Sequence, residues 1–420
     1  MPQRRKPFID PFNPPHPSRS GWGIVVLVAF GIVCAAFFAA CDDGPTQPAF
    51  VPEVLDPVLV AQGKDIFRYE TFDDERFWTD TARMHEVVAS SVSPSLALQV
   101  GLKVDADALP QAVKDAIVAG QVDLTSPATT VTLLKLGAVV GLKGTVTQTA
   151  AGKDTLSRLG ITCALCHSTV DNSFAPGIGH RLDGYPNHDL NVGAIIALSP
   201  AIPSATKAIL NTWGPGMYDA RFNFDGISIP VVIPPAYGLH GVAKEIYTGD
   251  GPVSYWNAYV AVTQMHGQGT FQDSRLGINV VKSPDLVTPL LPALRQYQFS
   301  LTPPVAPTGS YDVAAAARGK TLFDGAANCS SCHQGTLYTD VNDGTLHEAA
   351  EVGQDPEFAR RSATGRYRTT PLRGLLQHPP YFHDGNAKTL ADVVTHYDQL
   401  FTLHLTAQQK GDLAEYLKSL

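Results

Sequence analysis

Two pentapeptides in the chain share one pattern, Cys163-Ala164-Leu165-Cys166-His167 and Cys329-Ser330-Ser331-Cys332-His333. Two thiols three residues apart can form thioethers to the two vinyl groups of one porphyrin, and the imidazole that follows can bind the iron. The chemistry is covalent attachment of c-type haem, with Cys163, Cys166, Cys329 and Cys332 as attachment residues and His167 and His333 as proximal ligands. A lone Cys-x-x-Cys would suit a dithiol redox pair, half a zinc site or a disulfide equally well. Two copies, each followed by His, point instead to two haem groups. Each iron then needs a sixth ligand or an open position. For the first, His180, His188, His240, Met265 or His266 could serve, and Gln264-Met265-His266-Gly267 is the densest cluster. Met265 would suit an electron-transfer iron, and His266 a low-spin pair or distal acid-base chemistry, although each could equally be structural. Trp213 or Trp256 could stack near a porphyrin edge, and Arg181, Arg368 and Arg373 could hold haem propionates bidentately.

The elements around the two motifs differ. Tyr311 to Phe323 is Ala-rich and ends in Gly319-Lys320-Thr321-Leu322-Phe323, a short helix leading into the second motif. A related string, Gly63-Lys64-Asp65-Ile66-Phe67, opens the first unit, but there a long segment, residues 68–160, intervenes before the motif and reads as an insertion of unassigned role. Within it the Val-, Thr- and Leu-rich stretch Thr129 to Val146 predicts a hairpin. Val100-Gly101-Leu102-Lys103 recurs as Val140-Gly141-Leu142-Lys143, which reads as a chance repeat in loops or strands. At the C-terminus Thr406 and Gln409 form a capping-box pattern ahead of Leu413, Tyr416, Leu417 and Leu420 at helical spacing. Thr389 can cap the preceding helix, whose apolar face is Leu390, Val393, Val394 and Tyr397. Tyr397 should therefore point inward, and His396, rotated by about 100° on the helix, elsewhere. The fold class expected is mainly α, with two cytochrome c-type haem domains, the first enlarged by an insertion with some β structure. Proline-rich joints divide the chain into an anchor at 1–41, a tether at 42–58, an N-terminal haem domain at 59–307 and a C-terminal one at 308–420.

Six cysteines divide into four attachment residues, Cys34 and Cys41, which leaves none for a structural disulfide. The run Gly21 to Ala40 is apolar and follows Arg4, Arg5, Lys6 and Arg19, the charge layout of an export signal. Ala39-Ala40-Cys41 resembles a bacterial lipoprotein cleavage box with Cys41 lipidated, though Phe38 stands where Leu is usual. The run is also long enough to stay as an uncleaved anchor. Lipidation, a retained helix and simple secretion each predict a periplasmic protein, and the first two attach it to a membrane. The formal net charge of −8 disfavours nucleic acid as a partner and suits steering of a basic electron donor.

Three further strings carry a family resemblance: Arg368-Thr369-Thr370-Pro371-Leu372-Arg373, Pro380-Tyr381-Phe382-His383-Asp384-Gly385, and Thr389-Leu390. Over about residues 308 to 420 the chain resembles the C-terminal domain of bacterial di-haem cytochrome c peroxidases. The resemblance implies one haem that transfers electrons, a second in the N-terminal domain that meets peroxide, and a shared interface often holding calcium. Asp384 could support a metal or simply close a turn, and no acidic loop in the sequence specifies calcium. The electron-transfer haem of that family usually takes a distal Met at a set distance beyond the Gly of the second string, and here that position is Tyr397. The change resembles the related di-haem enzyme that matures tryptophylquinone cofactors (MauG), where Tyr replaces Met. A phenolate would stabilise oxidised iron and lower its potential. The alternative is a core tyrosine. The function implied is an oxidoreductase of the cytochrome c peroxidase/MauG-like type, served by a redox partner such as a small cytochrome or a cupredoxin. The competing reading is a non-catalytic electron-transfer cytochrome c.

Overall fold

The computed structural model describes residues 52–420. Cys41, Cys34, the apolar run and most of the tether lie outside the described residues. The described chain is mainly helical, with five small two-stranded sheets. Among the described residues no helix is long and apolar enough to cross a membrane.

Two helix crossings frame the molecule, and both are built on the Gly-Lys-x-x-Phe string. The helix Pro57–Tyr69 begins with Pro57 after Asp56, whose side chain accepts from the Val58 N–H at 2.8 Å. Gly63 faces the helix Leu291–Ser300 so closely that a Cβ would lie 1.9 Å from the Ala293 carbonyl oxygen. Phe67 then meets Tyr297 edge-on at 5.4 Å. In the C-terminal part the helix Val313–Asp324, capped by Asp312, repeats the arrangement against the helix Ala407–Lys418. A Cβ on Gly319 would lie 2.0 Å from the Asp412 carbonyl oxygen, and Phe323 meets Tyr416 edge-on at 5.3 Å. Only glycine permits either approach.

The segment between the first crossing and the first motif is well packed. It comprises a π-helical turn Arg76–Thr81, the helices Met84–Ser91, Pro94–Gln99, Gln111–Val118 and Pro127–Lys135, and a hairpin of Leu142–Gln148 with Asp154–Ile161. The hairpin predicted over 129–146 is therefore displaced. Its first half is helix, started by Pro127 and burying Thr130, Val131, Leu133 and Leu134, a helical set of positions that outweighs the β-branched composition. The repeated Val-Gly-Leu-Lys also has a structural cause. The two copies run side by side, the Val140 N–H donating to the Lys103 carbonyl at 2.9 Å. Both glycines are left-handed, with φ +89° at Gly101 and +77° at Gly141, and both are approached by other backbone. A Cβ on Gly141 would lie 2.2 Å from the Leu165 backbone nitrogen, inside the first haem motif.

The tether does not extend to residue 58, because the helix already starts at Pro57 and Asp56 caps it. The residues just before it are held: Glu53 pairs with Arg295 at 2.8 Å, and the Glu53 carbonyl lies 2.7 Å from His240 Nε2. The units on either side of the proline-rich stretch after Ser300 are locked by buried charge. Arg361 reaches Asp219 at 3.0 Å and Asp225 at 2.7 Å, while Arg221 pairs with Asp250 at 2.8 Å and donates to the Arg361 carbonyl. The Ala363 N–H also donates to Asp250, at 2.9 Å.

Candidate haem centres

The first motif sits in a short helix, Ala164–His167, whose neighbours Thr162, Ala164, Leu165 and Ser168 are buried. The His167 Nδ1 lies 3.0 Å from the Pro234 carbonyl, and since a carbonyl can only accept, Nδ1 carries the proton and Nε2 keeps its lone pair. Burial pushes the imidazole down to about 4, so it is neutral and ready to bind a metal. Burial likewise pushes both thiols, Cys163 and Cys166, up to about 12. All three side chains line one cavity of about 310 Å³, whose walls are largely apolar. The insertion supplies much of that wall through Trp78, Met84, Val88 and Leu159, and the C-terminal unit closes it with Arg368, Arg373 and His378.

The residues singled out from the sequence separate clearly. Met265 and Trp256 line this cavity. His266 instead lines a separate cavity of about 50 Å³ with Trp213, its ring stacked on Phe77 at 3.6 Å. Burial, with Lys282 nearby, pushes it down to about 3. His180 is exposed and faces Asp107 at 2.9 Å. His188 faces two carbonyls, of Pro379 at 2.7 Å and Ile233 at 2.9 Å, and His240 packs edge-on against Phe299. Of the three arginines, Arg368 and Arg373 line the cavity, whereas Arg181 is held at Asp183 and over the Tyr69 ring. Arg368 is half-buried, donates to the carbonyls of Glu245 and Ile246, and is pushed down to about 10 by desolvation.

Two cavity residues were not foreseen. The Glu245 carboxylate accepts from the Val253 N–H at 2.8 Å through one oxygen, while Oε1 is buried without a partner. Burial raises its pKa. Tyr218 donates its hydroxyl to Gln264 at 2.7 Å at the same wall. No spacing links these side chains to the motif, because tertiary folding alone brings them there.

The second motif lies on a tighter and more open turn. Asn328, at φ +52°, leads into a 3-10 turn Cys329–Ser331, and Asn328, Ser331 and Gln334 are exposed. His333 repeats the arrangement of His167, its Nδ1 3.0 Å from the Tyr338 carbonyl. Tyr397 points inward from the helix Leu390–Leu400, between the rings of Phe382 at 6.0 Å and Phe401 at 5.9 Å. Its hydroxyl makes no hydrogen bond among the described residues. Burial, with Cys329 and Cys332 close by, pushes it up to about 12. His396 turns away, its Nε2 3.3 Å from the Val352 carbonyl. Asp384 closes a turn, accepting from the Asn386 N–H at 3.0 Å.

Both sets of residues suit haem c: paired thiols, an imidazole whose Nδ1 faces a backbone carbonyl and, at the first, arginine side chains at the cavity wall. Residues 316–420 match the Cytochrome c family. The chain is 27% identical to the cytochrome-c peroxidase IdrP1 of Denitromonas iodatirespirans, the match covering 26% of this chain and 40% of that one. It is 30% identical to the methylamine utilization protein MauG of Methylorubrum extorquens, over 25% of this chain and 34% of the other. A solved MauG-like protein associated with microbial copper homeostasis is 18% identical over 45% of this chain and 73% of that one, with a TM-score of 0.31, too low to bear on the fold. The chain thus spans two fifths or less of the length of the curated relatives it matches. Residues 316–420 thus carry a cytochrome c domain, and part of the chain is similar to cytochrome c peroxidase and MauG proteins.

Proposed function

We propose that this is an exported, membrane-tethered di-haem oxidoreductase that reduces peroxide in the cavity beside His167 and draws electrons from a redox partner at the second motif. The observation that carries the reading is the asymmetry of two otherwise matched centres. One opens into a largely apolar cavity lined in part by Glu245, and the other lies on an exposed turn. Haem in such a cavity supplies an iron able to take a peroxide oxygen and exchange electrons.

The chain's own part is definable. Cys163 and Cys166, and Cys329 and Cys332, form the thioethers, His167 and His333 bind through Nε2, and Arg368 with Arg373 holds propionates. Glu245 takes a proton on Oε1 and returns it, as general acid-base work at peroxide requires. The apolar wall from the insertion excludes bulk water. Tyr397 covers the second centre as a phenolate ligand. A small cytochrome or cupredoxin docks at the turn around Ser331 and Gln334, and Cys41 or the apolar run before it anchors the chain on the periplasmic side. The two equivalent helix crossings support two haem domains divided near residue 308.

One observation favours a second reading. Met265 lines the same cavity, and a thioether at a sixth position would give a closed iron that only conducts. Peroxide consumption by the holoprotein with a reduced small cytochrome as donor separates the two: turnover supports the enzyme, and its absence supports the carrier. The mass of the mature protein with Cys163→Ser/Cys166→Ser, and separately with Cys329→Ser/Cys332→Ser, should fall by one haem each time.

A further inference from the structure

The helix Val253–Thr263 joins the cavity to the surface by aromatic rings. Trp256 lines the cavity and lies 5.0 Å from Tyr259, centroid to centroid. Tyr259 packs on Phe271 at 5.2 Å, and Tyr255 packs on the same Phe271 ring at 5.2 Å. The chain ends at Tyr255, which is half-buried and donates its hydroxyl to Asp273 Oδ2 at 2.5 Å. The two tyrosines differ in what their hydroxyls meet. Tyr259 donates to the Ala220 carbonyl, which cannot hold a proton. Asp273 can, and Arg275, bound to it at 2.6 Å, holds its carboxyl down to about 2, so it is ionised at every working pH. Arg275 also lies 5.7 Å over the Tyr255 ring. A cation there disfavours a positively charged radical, so an electron leaving Tyr255 must be accompanied by its proton.

We propose that Tyr255 is a redox-active residue, a second oxidation site for bulky organic one-electron donors such as phenols, connected to the cavity through Phe271, Tyr259 and Trp256. This rests on the reading that peroxide is reduced in the cavity. Conversion of hydrogen peroxide to two waters takes two electrons, with two protons from solvent. For each electron, Tyr255 loses one along the ring chain and its phenolic proton to Asp273 Oδ2, leaving a neutral tyrosyl radical beside a carboxylic acid. A phenol at the surface returns one electron, Asp273 returns the proton, and the donor departs oxidised by one electron. Two such turns balance one peroxide. The side chain that gives Tyr255 its short hydrogen bond is thereby its proton store.

The test is freeze-quench electron paramagnetic resonance of the haem-loaded full chain after mixing with hydrogen peroxide, with optical spectra of the same samples. The wild type should show a tyrosyl radical. Tyr255→Phe should lose it while the optical response of the haem to peroxide is unchanged, and Asp273→Asn, which keeps the ring, should lose it as well. An undiminished radical in Tyr255→Phe beside a normal optical response overturns the proposal and leaves the peroxide reading standing. A wild type with no optical response to peroxide overturns both.

Discussion

His167 and His333 are held in the same way, each by an Nδ1–H bond of 3.0 Å to a backbone carbonyl, and that bond fixes the tautomer which presents Nε2 to a metal. The two motifs were legible in the sequence because all five members of each are chain neighbours. Glu245 and Arg368 were harder: a role in the cavity comes only from folding, and guanidinium chemistry alone named Arg181, which lies away from the cavity, alongside Arg368 and Arg373, which line it. If Glu245 carries the proton, Glu245→Gln should slow peroxide turnover by roughly 10²- to 10⁴-fold with the haem spectra unchanged, whereas an unchanged rate removes it from the chemistry. Tyr397 was located by its helix face, and its inward orientation agrees with both a ligand and a core role. Tyr397→Phe separates them: a ligand role predicts an altered spectrum and a higher potential for the second haem, and an identical spectrum leaves only packing. Asp74 offers a pH test. Fully buried, its carboxyl is pushed from 3.8 up to about 9 by desolvation, with Glu75 adding to it. A folded-state value above the unfolded one means that the folded chain binds the proton more tightly. That stabilisation is complete below 3.8 and is lost as pH rises toward about 9. Thermal melting should therefore show a decline in stability across this range that Asp74→Asn reduces; parallel wild-type and variant curves would contradict it.

Elements show what local pattern can and cannot reveal. The Gly-Lys-x-x-Phe strings are visible as a repeat, but their purpose, letting two helices cross at backbone contact, depends on Ala293 and Asp412, which no local pattern connects to them. The clash distances of 1.9 Å and 2.0 Å predict that Gly63→Ala and Gly319→Ala each force the helices apart. Overpacking of this kind costs about 1–3 kcal/mol, read as a lowered denaturation midpoint at equal slope. Two unaffected midpoints would mean that the crossings yield without cost. The misplaced hairpin has the opposite lesson. Residues 129–135 carry β-prone side chains, yet helical burial against the insertion's core decides their conformation. The capping boxes at Thr389 and Thr406 form as their local pattern requires, since a cap involves only residues three apart.

At the scale of the whole molecule the two units form a single working part, because Arg368, Arg373 and His378 of the second help enclose the cavity of the first. The buried network of Arg361, Asp219, Asp225, Arg221 and Asp250 holds that closure. Arg361→Ala leaves Asp219, only 2% exposed at its side chain, short of its partner, and breaking a buried pair in this way costs about 3–5 kcal/mol. The variant should unfold at lower denaturant and bind the first haem less tightly than the wild type; unchanged stability would mean that the network is not what holds the units together. None of this closure was legible in the sequence, where the residues concerned are scattered over both units. The central claim is that two haem centres of unlike exposure share one molecule, one of them open to peroxide. Electron paramagnetic resonance of the ferric and half-reduced holoprotein, with and without hydrogen peroxide, tests it most directly. One high-spin haem that is consumed by peroxide and one low-spin haem that is not are expected. Two low-spin signals indifferent to peroxide would contradict it.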